Sequence, residues 1–152
     1  MNIFRAQNAS GLVDIRLRYL REDFPDMTDA EAEHIKEGLP RYYAKHLNDD
    51  FFAYIAEDEG RVIGSAFLTV TEFPPNTSFP NGRVGTVLNV FTEASRRRQG
   101  IATALMELLI SDAKNMELDY IELKASKDGY PLYRKLGFEK SSSSFTPMKL
   151  IL

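Results

Sequence analysis

The chain has 152 residues, 43% of them hydrophobic and 27% charged; this suits one domain with its own core and excludes wholesale disorder. Its formal net charge is −3, which argues against a dedicated nucleic-acid binder, because phosphate neutralisation supplies most of that affinity. With no cysteine and only His34 and His46 as histidines, disulfides, thiol nucleophiles, Cys-ligated zinc and a His-rich metal centre drop out.

Met1 to Gln7 carries no positive region leading into an apolar run. No stretch approaches the ~18 apolar residues of a membrane span. A cytoplasmic protein with one domain over residues 1–152 is expected. Ile3 to Ala6 reads as a first strand, and Ala9 to Glu22 as a helix ended by Pro25. Thr28 and Glu31 fit a capping box opening a second helix, with an interruption expected near Gly38-Leu39-Pro40. A further turn or two then carries Tyr42, Tyr43 and Leu47. Phe52 to Glu57 and Arg61 to Thr71 form a hairpin around Glu59-Gly60. Phe73 to Gly82, with three prolines, is a loop.

Val84 to Thr92 is the next strand, followed by the basic loop Arg96-Arg97-Arg98-Gln99-Gly100. From Ile101 to Met116, Ala102, Leu105, Leu109, Ala113 and Met116 recur at three- and four-residue steps and mark the clearest helix. Tyr120 to Ala125 is a strand, and Pro131 to Leu136 a short helix with Pro at its start and Gly137 past its end. Phe138 to Lys140 and Phe145 to Ile151 read as closing strands. No internal repeat is visible. An antiparallel meander with one strand–helix–strand crossover implies an α+β fold: a mixed, mainly antiparallel sheet with helices on both faces.

The chemistry-bearing stretch is the loop that enters the strong helix at Gly100. The first amides of that helix have no intrahelical partner and lie at the positive end of the macrodipole, so a pyrophosphate fits there. Gly100 and Ala102 keep side-chain bulk away, and the three arginines add positive potential. The P-loop string G-x-x-x-x-G-K-S/T and the dinucleotide string G-x-G-x-x-G are both missing.

Arg97-Arg98-Gln99-Gly100-Ile101-Ala102 fits the pattern Q/R-x-x-G-x-G/A. It resembles the pyrophosphate loop of the GNAT superfamily of acetyl-CoA-dependent N-acetyltransferases. Val87-Leu88-Asn89-Val90-Phe91-Thr92 looks like that family's fourth strand. Leu132-Tyr133-Arg134-Lys135-Leu136-Gly137-Phe138 resembles its C-terminal signature. Thr86 to Phe138 is covered in detail, and the element order extends the likeness over the chain.

The resemblance implies acetyl transfer from acetyl-CoA to a primary amine of a small molecule or peptide, by direct attack in a ternary complex and without a metal. Val90 and Phe91 would bond the pantetheine arm through their backbones, at a bulged strand splayed from its neighbour. Arg98, Gln99, Gly100, Ile101, Ala102 and Thr103 would cradle the pyrophosphate. Tyr133 would give a proton to the departing thiolate; a lone tyrosine can also simply cap a core. Ser126 stands where relatives often carry a cofactor-contacting asparagine.

Asn89 lies where many relatives place a glutamate base. Glu72, Glu93, Glu122 and Asp128 are candidates for that role or plain solvated charges, and Asp128 is also a candidate cap for the Pro131 helix. Tyr42, Tyr43, Phe73 and Phe79 could line an acceptor pocket or serve the core. His34 and His46 read as surface residues. The missing glutamate also admits a non-catalytic acyl-CoA-binding regulatory module on the same fold. No nucleic-acid or membrane partner is implied; a homodimer is compatible with the family.

Overall fold

The computed structural model describes residues 1–152. Its elements are β1 (Asn2–Arg5), α1 (Leu12–Asp23), α2 (Asp29–His46), β2 (Phe51–Asp58), β3 (Arg61–Glu72), β4 (Arg83–Thr92), α3 (Ile101–Asn115), β5 (Tyr120–Glu122) and α4 (Tyr130–Lys135). One five-stranded sheet runs β1-β2-β3-β4-β5. The first three pairings are antiparallel. β4 and β5 are parallel, which requires the crossover that α3 supplies.

β2 shows why helices cover both faces. Phe51 to Ala56 are all buried, as in a strand shielded on two sides. Alternate residues enter separate cores. Phe51, Ala53 and Ile55 pack with Leu12 and Ile15 of α1 and Tyr43 of α2. Phe52, Tyr54 and Ala56 pack with Ile101, Leu105, Met106 and Leu109 of α3. Tyr54 also donates to Asp112 Oδ2 on α3 at 2.9 Å, and Arg5 reaches the same oxygen at 3.1 Å. This ties β1 and β2 to the helix above them.

The capping box of α2 is formed: Glu31 N–H donates to Thr28 Oγ1 at 3.1 Å, and Thr28 N–H to Glu31 Oε2 at 3.0 Å. The expected interruption does not occur, and α2 runs unbroken to His46. Gly38 and Pro40 lie on its exposed side, where water can take the carbonyl that Pro40 leaves unbonded. Beyond it, buried Tyr43 donates to Leu12 O at 3.3 Å and fastens the last turns to α1.

Three further expectations are corrected. β5 ends at Glu122 rather than Ala125. Asp128 does not cap α4, whose N-cap is Gly129 with no side-chain bond. The closing strands are not formed: residues 139–152 join no ladder, and Phe145, Met148, Leu150 and Ile151 are exposed. Strand propensity in such a segment says nothing of a pairing edge, and β5 pairs over only three residues. Phe138 is claimed by the end of α4, as shown below.

Candidate active site

The site begins with a defect in β4. Its register on β3 passes from Phe67↔Leu88 to Ser65↔Phe91, so Asn89 and Val90 have no partner. Asn89 takes φ 55°, a left-handed conformation that its short polar side chain tolerates. It is 1% exposed. Both ends of its amide are engaged: Oδ1 accepts from Arg16 Nη1 at 3.0 Å, and Nδ2 donates to Ser65 Oγ at 3.0 Å. Ser65 Oγ in turn donates to Asn89 O at 2.8 Å. Toward β5, pairing stops at Thr86. From Val87 to Thr92 the strand therefore turns an open edge to that side. Val90 leans on the α3 core and Phe91 on the α1–α2 core.

The same strand runs into the basic loop. Gly100 is the N-cap of α3 at φ 78°, with no side-chain cap. A Cβ there would meet nothing within 4 Å, so the approach to the helix end is open. The first intrahelical bond is Ala104 N–H to Gly100 O, which leaves the amides of Ile101, Ala102 and Thr103 without an intrahelical acceptor. The three arginines do not act alike. Arg96 pairs with Asp58 at 2.7 Å. Arg97 pairs with Glu22 at 2.6 Å and donates from Nε to Thr92 O at 2.8 Å. Both brace the loop. Arg98 is exposed, at φ 64°, with no ion pair, and it alone offers an unneutralised charge beside the helix end.

Tyr133 is set by the end of α4. Gly137, at φ 98°, donates to Arg134 O at 3.1 Å, and Phe138 N–H donates to Tyr133 O at 3.0 Å. These two bonds are the Schellman pattern. Its usual apolar contact is present as well, with the Tyr133 and Phe138 rings at 5.9 Å edge to face. The Leu-Gly-Phe of the sequence signature thus holds Tyr133 in place. Burial, and secondarily Tyr19, push the Tyr133 hydroxyl above its ordinary range. Ser126 lies at the entry to α4, where its Oγ accepts from Gly129 N–H at 3.1 Å.

Among the carboxylates, Glu93 is clasped by Arg18 at 3.2 Å and Arg61 at 2.6 Å. Glu72 pairs with Arg83 at 3.0 Å. Glu122 and Asp128 are exposed. Phe73 and Phe79 stack on each other in their loop at 5.4 Å, whereas Tyr43 is core. Both tyrosines of α2 do line a cavity of about 370 Å³, together with Arg16, Leu39, Phe67 and Leu88. A second hollow of about 490 Å³ lies on another face of α1, between Asp14, Arg21 and Lys36.

His46 is half-buried rather than a surface residue: its Nδ1 lies 2.7 Å from Asp50 Oδ1, and its ring stacks on Tyr42 at 4.5 Å. Sequence reasoning missed Arg16 too. Between Asp14 and Arg18 it looks like any solvated helix charge, and no local signal tells otherwise. No group of three or more His, Asp or Glu is placed to hold a metal ion, and no helix is long and apolar enough to cross a membrane.

The profile of the acetyltransferase (GNAT) family matches residues 12–138. No curated protein sequence matches the chain. Among solved structures, a predicted acetyltransferase from Clostridium acetobutylicum, determined with acetyl-CoA, is 32% identical over 97% of this chain and 95% of its own, with a TM-score of 0.82. A GCN5-related N-acetyltransferase from Ralstonia eutropha JMP134 is 22% identical over 97% and 99%, with a TM-score of 0.75. Glucosamine-6-phosphate N-acetyltransferase from Arabidopsis thaliana is 17% identical over 97% and 99%, with a TM-score of 0.66. The last two share the fold; the first adds sequence kinship to it. With an open β4 edge leading to an uncapped helix end, and the family profile spanning both, the chain belongs to the GNAT acetyltransferase family.

Proposed function

We propose that the chain moves the acetyl group of acetyl-CoA to a primary amine of a small molecule or peptide, by direct attack in a ternary complex. The observation that carries this reading is the continuity of the open β4 edge with the free amides of α3. One track offers strand-like bonding at Val90 and Phe91, then an anion cradle at Arg98, Gln99, Gly100, Ile101, Ala102 and Thr103. That sequence of groups suits an extended amide-bearing arm ending in a pyrophosphate. The determination of the Clostridium relative with acetyl-CoA supports the same donor.

Acetyl-CoA supplies an activated acyl group. The amine must arrive neutral, its nitrogen bonds the acyl carbon, and the carbon–sulfur bond breaks. Tyr133 then gives its hydroxyl proton to the departing sulfur, the acceptor nitrogen releases one to solvent, and solvent returns a proton to the Tyr133 phenolate. Because burial holds the phenol protonated, it is a donor throughout the working range. Ser126 serves the donor site by setting the entry to α4. In this reading the chain is one domain, acts in the cytoplasm without a metal, and works alone or as a homodimer.

Thermal unfolding with acetyl-CoA, with ATP as a phosphate control, tests the donor site. At a hundredfold excess over Kd the gain is about 2.7 kcal/mol, a rise of roughly 5–10 °C. A rise with acetyl-CoA but not ATP supports the reading, and no rise refutes it. Asn89, in place of a strand glutamate, favours a second reading, a non-catalytic acyl-CoA-binding regulator. Thiol release with any of a broad panel of amines excludes it.

A further inference from the structure

Five arginines are half-buried: Arg5, Arg16, Arg18, Arg83 and Arg96. Four of them have a carboxylate within ion-pair distance. Arg16 has none. Of its five N–H donors, one on Nη1 bonds Asn89, and the others find no acceptor in the protein. Its guanidinium lies 5.8 Å from the Tyr19 ring centroid and faces a cavity of about 370 Å³ whose nine lining residues include seven apolar ones. Asp50, which follows α2, is engaged by His46. A partly desolvated cation without a counter-charge is costly to keep, and its free N–H fork matches a carboxylate in a bidentate pair.

We infer that the cavity between α1, α2 and β4 is the acceptor subsite, and that Arg16 selects amines whose apolar body also bears a carboxylate. The volume falls in the range of small-ligand pockets. A single guanidinium in an apolar wall suits a monoanion; a phosphate dianion would leave one charge desolvated and unmatched. Because Arg16 is bonded to Asn89, a carboxylate held there places the rest of the acceptor beside the bulged stretch of β4. The identity of the reacting amine rests on the transferase reading; the anion subsite does not.

The probes are 4-(aminomethyl)benzoate and 4-(aminomethyl)benzamide, which share the ring and the amine and differ in charge at the far end. Wild type should favour the benzoate in kcat/KM by roughly ten- to hundredfold, the range for a hydrogen bond to a charged group. In Arg16→Gln the ratio should fall to about one. The ratio is insensitive to any general damage from losing the Asn89 bond, since that affects both probes alike. Asn89→Asp offers a second route, because it sets a carboxylate against Arg16 from within and should also abolish the preference. Equal use by wild type, or a preference that survives Arg16→Gln, overturns the assignment. Calorimetry with CoA present reads the subsite without turnover. Benzoate binding that Arg16→Gln removes upholds the subsite even where no acetyl transfer is seen, a result that would sink the transferase reading alone. No benzoate binding by wild type sinks the subsite.

Discussion

Tyr133→Phe separates a chemical role from a structural one, because the hydroxyl has almost no structural work. It makes no hydrogen bond within the protein; what holds the residue is main-chain bonding at the end of α4 and the ring contact with Phe138. Phenylalanine keeps both. The stability change should therefore stay within ~0.5 kcal/mol, which for a chain of this size moves the melting temperature by under about 2 °C. The acetyl-CoA-induced rise should also persist. Loss of a general acid lowers turnover by roughly 10²–10⁴-fold, or about 3–5 kcal/mol of barrier.

The pH dependence follows from the direction of the shift. Burial first and Tyr19 second raise the hydroxyl above its ordinary value, so the proton donor stays loaded as pH climbs through the neutral range. Wild-type kcat/KM between pH ~6 and ~9 should rise with deprotonation of the amine, whose pKa lies near 10 by analogy with lysine, and should show no falling limb from Tyr133. Thiol release at saturating acetyl-CoA, beside thermal unfolding of the same samples, provides both readouts. Turnover within threefold of wild type refutes the assignment. So does a loss of turnover matched by loss of the acetyl-CoA-induced shift, since the residue would then serve binding or folding.

Gly100→Ala meets no steric contact but must hold φ 78°, a strain of roughly 1–2 kcal/mol. Acetyl-CoA affinity should fall beyond what that strain explains, because a methyl enters the mouth of the anion cradle; unchanged affinity by calorimetry would refute the cradle. Thr28→Ala removes the Oγ1 acceptor of the α2 capping box, leaves the backbone bond from residue 28 to Glu31, and should cost about 1 kcal/mol, a drop of roughly 2–4 °C; no drop would mean the side-chain cap adds nothing. Tyr54→Phe deletes the bond to Asp112 and should cost about 2 kcal/mol near pH 7. Burial, chiefly, pushes the Tyr43 and Tyr54 hydroxyls well above their ordinary range. The stability they give is thus full below pH ~10 and lost as pH rises further. Denaturant midpoints should therefore fall from pH ~10 upward in wild type and less steeply in Tyr54→Phe; parallel slopes would refute the linkage.

What the sequence made legible was local. The α2 capping box is four residues long, the Gly100 turn is one residue, and the signature around Tyr133 closes within a single turn of α4. Each is set by neighbours along the chain. The misreadings involve distant partners. Pro40 interrupts an isolated helix on paper, but Tyr43 reaches Leu12 across 31 residues and holds the helix together. Phe145 to Ile151 has strand character, yet whether it pairs depends on an edge elsewhere.

Asn89 shows the limit most clearly. The family resemblance leads one to expect a glutamate base in this stretch of β4. In the fold Asn89 answers a different demand, since the bulge needs a residue that tolerates φ 55° and can satisfy Ser65 and Arg16 from within a closed core. An asparagine meets all three conditions. A carboxylate there would lose the donor to Ser65 and neutralise Arg16, whose bond to Asn89 spans 73 residues. The neutrality of residue 89 is therefore what leaves Arg16 with charge to offer an acceptor, and the missing base and the anion subsite are two consequences of one side chain.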